Sequence, residues 1–194
     1  MLDTQNTQLP APRVPVVGGD ALMERSWYRF FANFYNYFIG LPYGSFSDTT
    51  TQTAAANTPT AVTFNTTAVA RHTYIGTPTS RVVFDADGLT SITFSLQLSN
   101  PSTTSEDDVY VWLRKNGSDV PYTASAVTVS KSHGGTDGTA LMAVNFFETF
   151  APGDYFELYW LTTTGSTQIK TIPASVSPAR PASPGAILTV SQII

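Results

Sequence analysis

The run Ser91-Ile92-Thr93-Phe94-Ser95-Leu96-Gln97-Leu98 alternates polar and apolar residues without a break. Successive side chains of an extended strand point to opposite faces, so Ile92, Phe94, Leu96 and Leu98 share one face. This is the pattern of a half-buried β-strand, and it recurs on both sides. Upstream, Thr60–Phe64 alternates, and Arg71–Ile75 and Arg81–Phe84 follow, the second stopped by Asp85-Ala86-Asp87-Gly88. Downstream, Val109-Tyr110-Val111-Trp112-Leu113 runs into Lys115-Asn116-Gly117. Asn-Gly marks a hairpin because both residues accept the positive φ of a tight turn. Thr123–Val129, Ala140–Phe150 and Tyr155–Leu161 are further strands, and Gly134-Gly135-Thr136-Asp137-Gly138 separates two of them. The stretch from Gly185 to Ile194 is apolar and strand-like, which predicts a last strand inside a sheet. Short strands at regular spacing with no helix between them predict a mainly β fold, a jelly-roll β-sandwich over residues 44–194.

Ahead of this region the pattern changes. Residues 27–43 hold nine of the chain's 24 aromatics. Leu22, Met23, Trp27, Phe30, Phe31, Phe34, Tyr37 and Phe38 recur at three- and four-residue intervals, with Tyr28 and Tyr35 widening the stripe, which predicts one amphipathic helix over 20–40. Asp20 is the expected N-cap, Glu24 suits the positive end of the dipole, and Gly40 and Pro42 end the helix. One helix cannot bury so wide an aromatic belt by itself. It must meet the β-domain, other copies of the chain or a larger partner. Residues 1–19 read as an extended arm. Pro10, Pro12 and Pro15 fix φ and remove donors, so the path is polyproline-like. Such a segment is either a disordered tail or an arm lying on a neighbour; Leu9, Val14, Val16 and Val17 give it apolar anchors that a linker would not need.

Composition narrows the function. Of 194 residues, 42% are hydrophobic and 12% charged, about half the usual charged share. The net charge of −4 argues against a sequence-independent grip on nucleic acid, which needs Lys and Arg to neutralise phosphates, and against an acidic membrane surface. The aromatic belt is interrupted by Arg25, Arg29, Asn33 and Asn36, so it is not a membrane span. There is no cysteine, which excludes disulfides, thiolate zinc and cysteine nucleophiles. The polar N-terminus lacks the basic start and apolar run of a signal peptide, so synthesis in a cytoplasm is expected.

The strand region resembles a known family, the trimeric jelly roll of tumour necrosis factor and the globular heads of complement. Ser45-Phe46-Ser47 is similar to its opening strand and Thr63-Phe64 to its second. Phe84 to Leu89 followed by Ser91 to Leu96 resembles the segment in which a glycine introduces the long central strand. Val109 to Leu113 with Lys115-Asn116-Gly117 resembles the next strand and its turn. Ala151-Pro152-Gly153-Asp154 with the apolar run after it, and Ala186 to Ile194, resemble the last two. The resemblance implies the fold and a homotrimer, with Tyr110, Trp112, Phe146, Tyr155 and Tyr159 as candidates for the seam. No collagen-like stalk is present, so the helix is the candidate stem. The lead Arg13-Val14-Pro15-Val16-Val17-Gly18-Gly19 and the segment Glu24 to Tyr35 are similar to segments at the start of tailed-bacteriophage virion proteins.

Residues with chemistry are few. His72, in an alternating strand, reads as a surface residue. His133, near Asp137, could be half of a metal site, but zinc needs three or four ligands and a hairpin loop is the simpler reading. Asp85-Ala86-Asp87-Gly88 resembles the start of a calcium loop without its closing Glu and reads as a turn. Glu106-Asp107-Asp108 reads as a solvated loop. Glu148, Asp154 and Glu157 offer carboxylate pairs, as any β-protein does. No nucleophile elbow or phosphate loop is present. The expectation is a protein without catalytic residues, metal or cofactor.

Two functions follow. One is a trimeric capsid cement or decoration protein on the phage head, its partner the major capsid protein, docked through Pro10, Pro12, Val14, Val16, Val17, Trp27, Phe30, Phe31 and Phe34. The other is a trimeric head- or tail-fibre module that recognises a host surface glycan.

Overall fold

The computed structural model describes residues 9–10, 14–19 and 22–193, with residues 36–39 described by their backbone alone. The chain divides into two compact units, Met1–Leu41 and Pro42–Ile194.

The first unit contains the helix α1 (Arg25–Ile39). It starts five residues later than the sequence pattern predicts. The backbone ahead of it is committed elsewhere: Gly18 N–H donates to Leu22 O at 2.7 Å, Glu24 N–H donates to Val16 O at 3.0 Å, and Val17 bridges Met23 antiparallel. A helical turn through Leu22 would break these bonds. Helical bonding begins with Glu24 O, which accepts from Trp27 N–H and Tyr28 N–H. The expected cap Asp20 and the expected docking residue Pro12 lie outside the described residues, as do the side chains of Tyr37 and Phe38. Val14 O accepts the Trp27 indole N–H at 3.0 Å. Residues 14–17 therefore fold back beside the start of α1 within this unit, which corrects the expectation of a wholly extended arm.

The second unit is built from strands. In chain order they are β1 (Tyr43–Asp48), β2 (Gln52–Thr53), β3 (Thr60–Ala61), β4 (Thr66–Arg71) and β5 (Thr73–Ile75). Then come β6 (Val82–Phe84), β7 (Gly88–Asn100), β8 (Asp107–Lys115), β9 (Ser118–Asp119) and β10 (Ser125–Val129). The rest are β11 (Gly138–Phe150), β12 (Tyr155–Thr162), β13 (Gln168–Ile169), β14 (Ser175–Val176), β15 (Ala179–Arg180) and β16 (Ala186–Gln192).

They form an antiparallel jelly-roll sandwich. One sheet runs β2-β13-β7-β16-β1-β4, with β11 paired to β7 along its full length; the other runs β10-β8-β12-β6-β5, with β3 on β12 and β9 on β8. Strands β14 and β15 form a separate two-stranded ribbon. The central strand β7 has Ile92, Phe94, Leu96 and Leu98 at 0–1% exposure, the row that the alternation predicts. Facing them are Val109, Val111 and Leu113 of β8 and Phe156, Leu158 and Trp160 of β12, all buried. The closing strand β16 lies between β7 and β1, so the apolar end of the chain is an interior strand. Asn116 and Gly117 have φ of 50° and 81°, the paired left-handed residues of a tight hairpin turn between β8 and β9.

Candidate functional site

Trp27, Phe30, Phe31 and Phe34 of α1 form a ladder of rings. Trp27 stacks on Phe31 at 5.9 Å and meets Phe30 edge-on at 6.1 Å, and Phe30 stacks on Phe34 at 6.1 Å. The three- and four-residue spacing that places them on one helix face also lets their rings touch. Phe31 and Phe34 remain 45% and 51% exposed, and Tyr28, Tyr35, Val16 and Val17 are exposed as well. Rings order one another here while Phe31 and Phe34 stay about half exposed, and a large apolar surface of this kind is a mark of an interaction site. Leu9 is exposed, and Pro10, Val14, Trp27 and Phe30 are partly buried.

The five seam candidates do not share a surface. Tyr110 and Trp112 stand on β8, and Tyr155 and Tyr159 on β12, facing outward from the second sheet; Tyr159 pairs with Trp112 across the strands, with rings 5.9 Å apart. Phe146 belongs to β11 in the other sheet and packs inward against the core and Phe94. A single seam holding all five is therefore corrected: the two sheets face apart, and alternation within a strand does not say to which sheet the strand belongs. Trp112, Tyr155 and Tyr159 already have partners within the protomer. Arg81 lies over the Tyr155 ring at 4.2 Å and Arg114 over the Tyr159 ring at 4.5 Å.

The outward rows of the first sheet differ in kind. Tyr43, Ser45 and Ser47 of β1 face the same way as Ile187, Thr189 and Ser191 of β16. Ser91, Thr93, Ser95 and Gln97 of β7 continue the surface to Leu141, Ala143, Asn145 and Phe147 of β11. These rows carry no charged residue, and Leu141 and Phe147 are each 61% exposed.

The acidic side chains serve the scaffold. Glu148 and Asp154 converge on Lys115, at 3.2 Å and 3.7 Å from its Nζ. Glu157 is buried and accepts from Ser80 Oγ at 2.5 Å. Asp154 also accepts from Ala151 N–H and Asn116 Nδ2, bonds that hold its carboxyl below the usual aspartate range. Asp107 corrects the solvated-loop reading of residues 106–108. It is 1% exposed and accepts from the backbone N–H groups of Thr164 and Thr167 and from the Thr163 hydroxyl. His72 sits at the break between β4 and β5 with φ 54°, its Nδ1 2.8 Å from Asp85 Oδ1. His133 lies in an exposed loop, bridged to Thr136. Among the described residues no group of three or more His, Asp or Glu side chains is placed to hold a metal ion.

A cleft of about 610 Å³ opens at the Asn100 end of β7. Its floor is Gln97 and Ser99. One wall is Thr136 to Leu141 at the start of β11, and the other is the segment Lys170 to Pro173 that follows β13. Lys170 Nζ and Ser99 Oγ both donate to Asp137 Oδ2 at 2.8 Å, and these two partners, Lys170 first, lower the Asp137 carboxyl. The sequence pattern places Asp137 in a turn and near His133, and it does not single out Lys170. The one available signal was a lysine in a chain with few cations. Their meeting depends on β13 and β11 both being anchored at the same end of β7.

No family model matches this chain, and no curated protein matches it. Solved structures do match: the chain is similar to the globular domain of zebrafish complement 1qA protein, with 12% identity and a TM-score of 0.45 over 79% of this chain and 98% of that one.

Proposed function

We propose that the chain is a structural virion protein, a homotrimeric capsid cement or decoration protein that binds the phage head surface and stabilises it. Its partners are its own copies and the major capsid protein, its location is the capsid surface after synthesis in the host cytoplasm, and its role needs no catalysis or cofactor. The observation that carries this reading is the ring ladder of Trp27, Phe30, Phe31 and Phe34 on a helix whose aromatic surface stays half in water. Covering such rings at roughly 25 cal/mol per Å² offers several kcal/mol before ordering costs, and aromatic anchors dominate interfaces. Three such helices on one trimer would multiply a modest contact. The trimer itself is assigned to the outward rows of β1, β16, β7 and β11 around Phe147, at the end of the first sheet away from Leu141. No ion has to be desolvated to bury these rows, whereas the other sheet presents the ion-paired Arg81 and Arg114.

Adding the full chain, or a chain lacking residues 1–40, to particles stripped of the native protein tests this. The full chain is expected to bind in numbers comparable with the major capsid protein and the shortened one not to bind. Equal affinity of the two overturns the docking role. A copy number of only a few per particle supports the fibre-tip function instead.

A further inference from the structure

We propose that the cleft at the Asn100 end of β7 is a binding site for a neutral saccharide, seated on Asp137 and Lys170. The proposal goes beyond the cement function and does not rest on it.

The argument starts from charge. Lys170 and Asp137 neutralise each other at 2.8 Å, and the remaining lining residues, Gln97, Ser99, Thr136, Thr139, Leu141 and Ile172 among them, are uncharged. An anionic ligand would meet the Asp137 carboxylate, and a cationic one would meet the Lys170 ammonium. A neutral ligand meets neither cost. It must also be polar, because an apolar ligand would strip water from these groups without replacing its hydrogen bonds.

The hydrogen-bonding capacity left over is mixed in sign. Both bonds to Asp137 fall on Oδ2, so among the described residues Oδ1 has no donor and is left to accept. An ammonium has three protons, and Lys170 uses one on Asp137. The cleft therefore presents an acceptor and a donor side by side. A pair of neighbouring ring hydroxyls matches that arrangement, each giving a proton to one group and taking one from the other. Leu141, 61% exposed, with Ile172 and Pro173 supplies apolar rims, suited to the C–H face of a sugar ring. A cleft of a few hundred Å³ with apolar sides and a few convergent polar groups is the usual form of a small-ligand site.

Chemical-shift titration of the full chain with the methyl glycosides of glucose, galactose and mannose tests the site. At least one glycoside is expected to shift the amides of Gln97, Ser99, Asp137 and the residues from Lys170 to Ile172 in a saturable way, leaving those of β8 and β12 unmoved. Asp137→Asn is expected to weaken that binding about tenfold or more, the loss of one charge-assisted bond. Because Asp137 also holds Ser99, Lys170→Met is the second variant; Lys170 is half exposed and ends no core contact, and it should weaken binding to a similar degree in a protein whose spectrum is otherwise unchanged. Absence of saturable shifts with all three glycosides, shifts scattered over both sheets, or parent-like binding by a folded Lys170→Met variant overturns the proposal.

Discussion

Asp107 is the residue on which the sequence pattern and the fold disagree most. In Glu106-Asp107-Asp108 it belongs to an acidic run, yet it is buried at the start of β8 and anchors the loop that follows β12. Burial alone would raise its pKa. The backbone N–H groups of Thr164 and Thr167 outweigh that and hold it at about 2, below the ordinary 3.8. A folded-state pKa below the unfolded one means that the folded protein releases this proton more readily. The stabilisation is therefore complete above the unfolded value and is lost as pH falls from about 3.8 towards about 2. Asp107→Asn should lower the urea midpoint at neutral pH and have little effect near pH 2. An equal loss at both pH values would mean that the side chain acts through its shape and not its charge. Trp27 offers a second residue-scale prediction. Its indole N–H bonds to Val14 O, so Trp27→Phe keeps the ring ladder but frees the arm. Cleavage by a protease in residues 9–19 should become faster, with the unfolding of the β-sandwich unchanged.

At the scale of elements, β7 and β11 form the longest ladder in the structure, paired from Gly88↔Phe150 to Asn100↔Gly138. The end of the ladder depends on Gly138. A Cβ there would stand 1.7 Å from Ser130 O, closer than any contact allows, so the approach of the loop after β10 to the first residue of β11 requires glycine. Gly138→Ala should cost about 1–3 kcal/mol, the range for forced overpacking, read as a lower denaturant midpoint. An unchanged midpoint would show that the loop can move away freely. Alternation made β7, β8, β11 and β12 legible, because each pairs a buried row with a wetter one over at least eight residues. The segment Thr60–Phe64 was harder to place. Only Thr60–Ala61 is a ladder strand, while Val62 and Phe64 are buried through single bonds to Leu158 O and Thr79 O. Periodicity reports burial, and burial does not require a continuous ladder. The helix start was misplaced for a related reason. Leu22 and Met23 fit the helical period, but period carries no information about the backbone bonds that the Gly18–Glu24 turn had already taken.

For the whole molecule the decisive contrast is between the two outer faces. The trimer proposal assigns the seam to the first sheet, where Phe147 stands opposite Ser91, at the end of β7 away from the cleft. Phe147→Glu should convert the trimer to monomer in light scattering at micromolar concentration, since a buried unpaired carboxylate is costly. Tyr110→Glu on the other face should leave the mass unchanged. A stable monomer for the parent chain would reject the trimer, and the reverse response of the two variants would move the seam to the second sheet. The sequence by itself determined the jelly-roll class, the shared face of Ile92, Phe94, Leu96 and Leu98, the Asn116-Gly117 turn and the interior place of the last strand. These depend on a two-residue period, on turn chemistry and on apolar composition, which are local. Only the tertiary structure decided that Phe146 and Trp112 belong to opposite sheets, that Asp107 is a buried anchor, and that Asp137 and Lys170 meet over Ser99. Strand order is set by contacts between residues far apart in the chain, and a local pattern is the same whichever neighbour a strand acquires.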